Sequence, residues 1–386
     1  MSALPLLPVT TVGSWPRSDD VLRALSARRR REITAERFLE VARTGVREAV
    51  RAQLEAGVDL VTDGEQTRDN FYSFVAEKLD GVRLMTLAEM LDLVEDKEGF
   101  RRLLDTLDVP AFAISNPTCV GEIALREPLA TGDLAYLRTL TDRPAKVTLP
   151  GPYLLTRALW VPEASRTAYP DKETLAARVA EILRGEVERL AAAGADFIQL
   201  DEPVLTELVF GQGQTRTFMC AALAARRDPQ EELEFAVGLI TRVLDGIDGV
   251  RTGLHVCRGN WSRDESTLLA GGYAPLTEWF ARLPVRQLVL EAATPRAGDR
   301  VDPGGKELGL GVVNPRTDEI ETVGEIRRRI DRALAVVPPE WLFLNPDCGF
   351  GTFASRPMNS AEVATRKLAA MADAACEMRE WLSASR

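Results

Sequence analysis

Eight short apolar runs punctuate this chain, at residues 8–13, 58–63, 145–149, 197–200, 251–256, 286–290, 306–312 and 341–344, and each runs into a polar cluster at its C-terminal end. The runs are rich in Val, Leu and Ile and do not alternate cleanly with polar residues, as expected of parallel strands buried on both faces. Apolar residues at helical spacing fill the intervals at 34–56, 172–193, 229–244, 276–283, 319–336 and 360–382, with Gly57 and Gly194 as stop signals. Strand and helix in that alternation predict an α/β fold, a (β/α)8 TIM barrel, as a single catalytic barrel over residues 1–386. The rhythm fails between residues 71 and 144, where a helical segment at 84–107 and a Pro/Thr-containing piece at 110–128 are expected to form an insertion between strands two and three.

A chain of 386 residues, 45% hydrophobic and 27% charged, can bury a core of that size. Its net charge of −10 argues against a nucleic-acid or anionic-membrane partner, either of which would need a basic stripe. No apolar run is long enough to span a bilayer, and the first residues lack an export pattern. The five cysteines, at 119, 220, 257, 348 and 376, make no disulfide framework, so a reducing, cytoplasmic setting is expected. Cys119, Cys220 and Cys376 read as packing residues.

The only histidine, His255, precedes Cys257 by two positions at the end of a strand, so both side chains point to one side of an extended backbone. Glu291 and Cys348 close two later strands, and His255, Cys257, Glu291 and Cys348 together make a zinc-type ligand set. A buried cysteine is commonly just a small apolar residue. Position decides between the two readings, because a barrel gathers the C-terminal ends of its strands into one mouth. Ser14, Glu65, Asp201, His255, Cys257, Glu291 and Cys348 are expected to meet there.

Residues 10–16 (TTVGSWP), 63–65 (DGE), 199–203 (QLDEP), 255–257 (HVC), 290–291 (LE) and 345–349 (NPDCG) resemble, in order, the motif set of cobalamin-independent methionine synthase. The resemblance covers essentially the whole chain and is to a short, single-barrel member, similar to that family's C-terminal catalytic domain. It implies a zinc-dependent S-methyltransferase whose metal is held by His255, Cys257, Glu291 and Cys348. It also implies that Glu65 and Asp201 hold the ammonium group of a homocysteine-like thiol and Ser14 its carboxylate, with 5-methyltetrahydrofolate or a corrinoid protein as methyl donor. Trp160 is a candidate stacking face for a flat donor.

At the end of strand seven the family carries an aspartate and a histidine, whereas this chain has Gly311 and Val313, followed by Arg316. Arg316 joins Glu65 and Asp201 as a candidate catalytic residue, although a guanidinium is a poor general acid. Thiol addition to an epoxide, as in epoxyalkane:coenzyme M transferases, is the alternative. A sulfonate-bearing thiol would want arginine, with Arg68, Arg258 and Arg316 available, whereas two carboxylates suit an amino-acid thiol. A zinc hydrolase is a weaker reading, since two thiolates acidify metal-bound water poorly, and a non-catalytic thiol-binding barrel has no positive sign.

Overall fold

The computed structural model describes residues 4–86, 89–90, 93, 98, 115–210, 228–298 and 300–384. Strands β1 (Leu79–Thr86) and β2 (Ser115–Leu125) form an antiparallel pair. A six-stranded parallel sheet then runs in sequence order through β3 (Lys146–Pro150), β4 (Phe197–Asp201), β5 (Arg251–Val256), β6 (Gln287–Leu290), β7 (Glu307–Val313) and β8 (Leu342–Pro346). Every residue of these six strands is buried except half-buried Arg251, which explains the missing alternation in the sequence.

Single parallel bridges close the ring: Val9 to Leu344, Thr10 to Leu60, and Val61 to Ala145. Eight segments therefore surround the axis, and the fold is the TIM barrel. The first two segments are bridges rather than ladders because side chains take up backbone groups that a neighbouring strand would otherwise pair. Asp59 Oδ2 accepts from Val9 N at 2.9 Å, Thr10 Oγ1 donates to Leu60 O at 2.8 Å, and the Gln53 amide bonds both N and O of Thr62 at 2.9 Å.

The outer helices follow the expected pattern closely. Thr34 caps Ala35–Glu55, Asp171 caps Lys172–Ala192 and Asp228 caps Pro229–Leu244. The helix expected from residue 319 begins at Val323, where a Thr322/Glu325 capping box starts it; the preceding Glu319 and Glu321 are engaged by Lys367 instead. The helix expected at 84–107 is corrected at its start, since Leu84 to Thr86 pair as strand with Ser115 to Pro117, and most of the rest lies outside the described residues. Cys119 is buried as expected, Cys376 is exposed on the helix Ala361–Ala384, and Cys220 lies outside the described residues.

Two features position the site. Inside the barrel the Phe197 ring fills the space left by Gly253, where a Cβ would lie 2.4 Å from it. Buried Lys146 reaches over that ring, donates to Thr11 O at 2.7 Å, and has its pKa lowered by burial to about 7. Among the described residues the crossover from β6 to β7 carries only a 3-10 turn, Pro295–Ala297, where a barrel ordinarily places a helix.

Candidate metal centre and substrate cavity

His255 and Cys257 stand two apart at the end of β5, and Cys348 follows the end of β8. Their ligand atoms all lie within 4.8 Å of one another, and all three side chains are buried. His255 Nδ1 sits 3.0 Å from Asp201 Oδ1. A carboxylate there accepts the Nδ1 proton, fixing the tautomer and leaving Nε2 as the ring's ligand atom. Hydrogen bonding from Cys348 holds the Cys257 thiol well below the usual range in spite of burial, with the His255 charge adding to the effect. Cys348 is pushed well above its usual range by that same contact and by burial. Burial would depress His255, but the Cys257 thiolate and Asp201 raise it to about 10.

Glu291, the fourth expected ligand, is not in this group. Its side chain is fully buried and turned to Arg296, which contacts Oε1, while Oε2 accepts from Arg258 N at 3.0 Å and Asn260 Nδ2 at 3.2 Å. Asn260 Oδ1 in turn accepts from Arg296 Nη2 at 3.2 Å and Arg316 Nε at 3.0 Å.

A small cavity lies over the three ligand groups and is also lined by Ser14, Glu65 and Asp201. Glu65 follows Gly64 at φ 69° and itself sits at φ 54°, a left-handed conformation uncommon for a side chain of this size. The turn is clamped from outside: Arg17, an unforeseen contributor, donates to Glu65 O at 2.6 Å, Arg68 O at 2.9 Å and Gly351 O at 2.6 Å. Glu65 Oε1 accepts from Thr148 Oγ1 at 2.8 Å, while buried Oε2 has no hydrogen-bond partner among the described residues. Burial pushes the Glu65 carboxyl up, against the pull of Arg68. Ser14 is pressed against Gly349, where a Cβ would lie 2.0 Å from Ser14 Oγ.

The other expected residues lie elsewhere. Trp160 packs half-buried against the main core and does not line this cavity. Arg316 is buried, bonded to Asn260 and paired with Glu265, also away from the cavity wall. Trp261, Phe71, Val12 and Pro203 supply the apolar wall instead. Trp261 was within reach of sequence reasoning, being four residues past Cys257. Its ring folds back over Gly259, at φ 79°, where a Cβ would lie 2.0 Å from it.

The chain matches the family profile described as cobalamin-independent synthase, catalytic domain, over residues 7–230 and 291–377. It is 31% identical over 350 residues to a methionine synthase of Pyrococcus abyssi, covering 90% of this chain and 87% of that protein. A methionine synthase of Saccharolobus solfataricus is 27% identical over 388 residues, covering 99% of this chain and 98% of its own length. The fold matches that of a B12-independent methionine synthase from Shewanella sp. W3-18-1, solved with selenomethionine, at a TM-score of 0.73 and 24% identity, over 98% of this chain and 99% of that one. On these grounds, the chain belongs to the cobalamin-independent synthase catalytic-domain family.

Proposed function

We propose that this protein is a zinc-dependent S-methyltransferase that methylates homocysteine. The observation that carries the reading is the meeting of His255, Cys257 and Cys348 under a cavity into which two carboxylates and a serine also face. One imidazole and two cysteines make a donor set suited to zinc with a position left for substrate. Zinc, when bound, holds a substrate thiol as thiolate at neutral pH, worth roughly 2 kcal/mol for a thiol of pKa about 8.5. Methionine synthases among the relatives, and a related fold solved with selenomethionine, the selenium counterpart of the expected product, support this reaction.

The chain's own groups do the binding and orienting. Glu65, with one carboxylate oxygen unpartnered, and Asp201 receive the substrate ammonium, while Ser14 faces the substrate carboxylate. Asp201 also fixes the His255 ring. Val12, Phe71, Pro203 and Trp261 exclude water and offer a flat surface to the methyl donor. A pterin donor would need a proton on its leaving nitrogen, whereas a corrinoid donor departs without one.

The arginines support an amino-acid thiol over a sulfonate. Arg68 is spent on Thr148, Arg258 on Gly271 O and the Tyr273 ring, and Arg316 on Asn260 and Glu265; none lines the cavity. The test is metal analysis followed by titration of the cobalt-substituted protein with homocysteine, cysteine and coenzyme M, then methylation assays with methyltetrahydrofolate and methylcobalamin. A sulfur-to-cobalt charge-transfer band with homocysteine and S-methylation by one of the donors are expected. A metal that no thiol perturbs would refute the reading.

A further inference from the structure

Beneath the cavity, β3 and β4 stack their inward side chains in layers. Lys146 and Thr148 share one face of β3, and Phe197, Gln199 and Asp201 share one face of β4, with Lys146 opposite Phe197 and Thr148 opposite Gln199. Thr148 Oγ1 donates to Glu65 Oε1 and Gln199 Nε2 to Asp201 Oδ1, both at 2.8 Å, so each strand supports one of the two carboxylates that line the cavity. Lys146, 1% exposed, is the cation at the foot of this stack. Its Nζ donates to Thr11 O at 2.7 Å, and the next carbonyl, Val12 O, accepts from the same Gln199 Nε2 at 3.1 Å.

An ammonium has three protons to donate, yet the bond to Thr11 O is the only one Lys146 makes among the described residues. The Phe197 ring, its centroid 5.1 Å away, is the other support. A buried ammonium with two donors unspent keeps its proton only through nearby opposite charge. Asp201 and Glu65 are the charged groups that act on Lys146, while Arg17 and Arg68 act in turn on Glu65.

Resting on the reading that Glu65 and Asp201 receive the substrate ammonium, we propose that Lys146 is a positioning residue for that site: it is the counter-charge of the carboxylate pair in the empty cavity and gives up its proton to solvent when the ligand's ammonium arrives. Two cations facing the same buried carboxylates disfavour each other's charged form. Lys146 is the one that yields, because it pairs directly with neither carboxylate among the described residues, whereas the ligand can reach Glu65 Oε2, which has no partner there. The charge of the barrel interior is then the same before and after binding. Binding is coupled to the loss of one proton, so affinity rises with pH until Lys146 is already neutral in the empty protein.

The test is calorimetric titration of the zinc-loaded protein with homocysteine in buffers of differing ionisation heat, which reads the protons released per ligand bound. Wild type and Lys146→Met are compared. The homocysteine thiol loses its own proton at the metal in both, so the difference between them isolates Lys146. Burial lowers Lys146 to about 7, so wild type is expected to release about one proton more than the variant at about pH 6, about half a proton more near 7 and about the same number above 8. Below about pH 7, homocysteine affinity should climb with pH more steeply in wild type, by up to about tenfold per unit.

Equal release by the two proteins at every pH overturns the inference and leaves the homocysteine reading standing. Should Lys146→Met fail to fold or to bind, the midpoint of the pH-dependent release in wild type decides: that of an amine falls on warming, whereas a midpoint that stays in place belongs to a carboxylate such as Glu65 and overturns the inference. A zinc-loaded wild type that does not bind homocysteine overturns the substrate reading, and this inference with it.

Discussion

Replacing Asp201 with alanine tests the metal reading at one step's remove from the ligands. Asp201 Oδ1 lies 3.0 Å from His255 Nδ1 and also accepts from Gln199 Nε2 at 2.8 Å. Alanine removes the acceptor that fixes the imidazole, and losses of this kind weaken metal affinity about 10- to 100-fold, roughly 1.4–2.7 kcal/mol. Asn in the same place keeps an acceptor and loses the charge, so its effect should lie near the lower figure. Gln199 Nε2 loses one of its two acceptors, keeping Val12 O at 3.1 Å, and a buried N–H left unpaired costs about 1–3 kcal/mol of stability. Urea denaturation of the metal-free proteins measures that second effect separately. The assay is zinc competition against a chromophoric chelator at neutral pH, on variants confirmed as folded. If Asp201→Ala folds and retains zinc within about threefold of wild type, well short of the expected loss, the carboxylate does not support a metal-binding histidine and the reasoning fails.

Cys348→Ser should abolish tight zinc retention with the circular-dichroism spectrum unchanged, because the barrel core is built without the metal; a globally unfolded variant would show the site to be structural. Gly349→Ala drives a Cβ to 2.0 Å from Ser14 Oγ, so urea denaturation should show a loss of about 1–3 kcal/mol, and cobalt titration should show weaker homocysteine binding with the metal retained. Lys146 is lowered by burial to about 7, well under the 10.5 of a free lysine, so the unfolded chain binds the extra proton between these values and stability should rise with pH across that window. Relative to Lys146→Met, wild type should gain up to about 1.4 kcal/mol per pH unit there in urea melts; a parallel response of the two proteins would count against the buried amine as the source.

Much of the fold was legible because strand burial and helix caps are written locally. The runs of β3 to β8 stand close to where the apolar pattern placed them, and Pro229–Leu244 matches at both ends. The first two barrel segments were recognisable as apolar runs but not as bridges, since that depends on where the Asp59 and Gln53 side chains turn in three dimensions. The short helices Pro152–Leu159 and Val204–Phe210 were missed, being too brief to show a period. At the site, the two-residue spacing of His255 and Cys257 and the strand-end position of Cys348 were enough to bring three groups together. Nothing local distinguished Glu291 as a partner of Arg296, because that contact is made by the path of the crossover. Trp160 and Arg316 were placed by nearness to a loop, and their side chains turn into the core and into a polar network.

The left-handed backbone at Glu65 has an evolutionary consequence. A side chain with a Cβ at φ 54° is strained by roughly 1–2 kcal/mol, and glycine or asparagine would sit there with less protest. A population screened only for heat tolerance should therefore drift toward those residues at position 65, emptying the cavity of a carboxylate while the barrel grows sturdier. Keeping glutamate in that twist requires selection to act on catalysis itself.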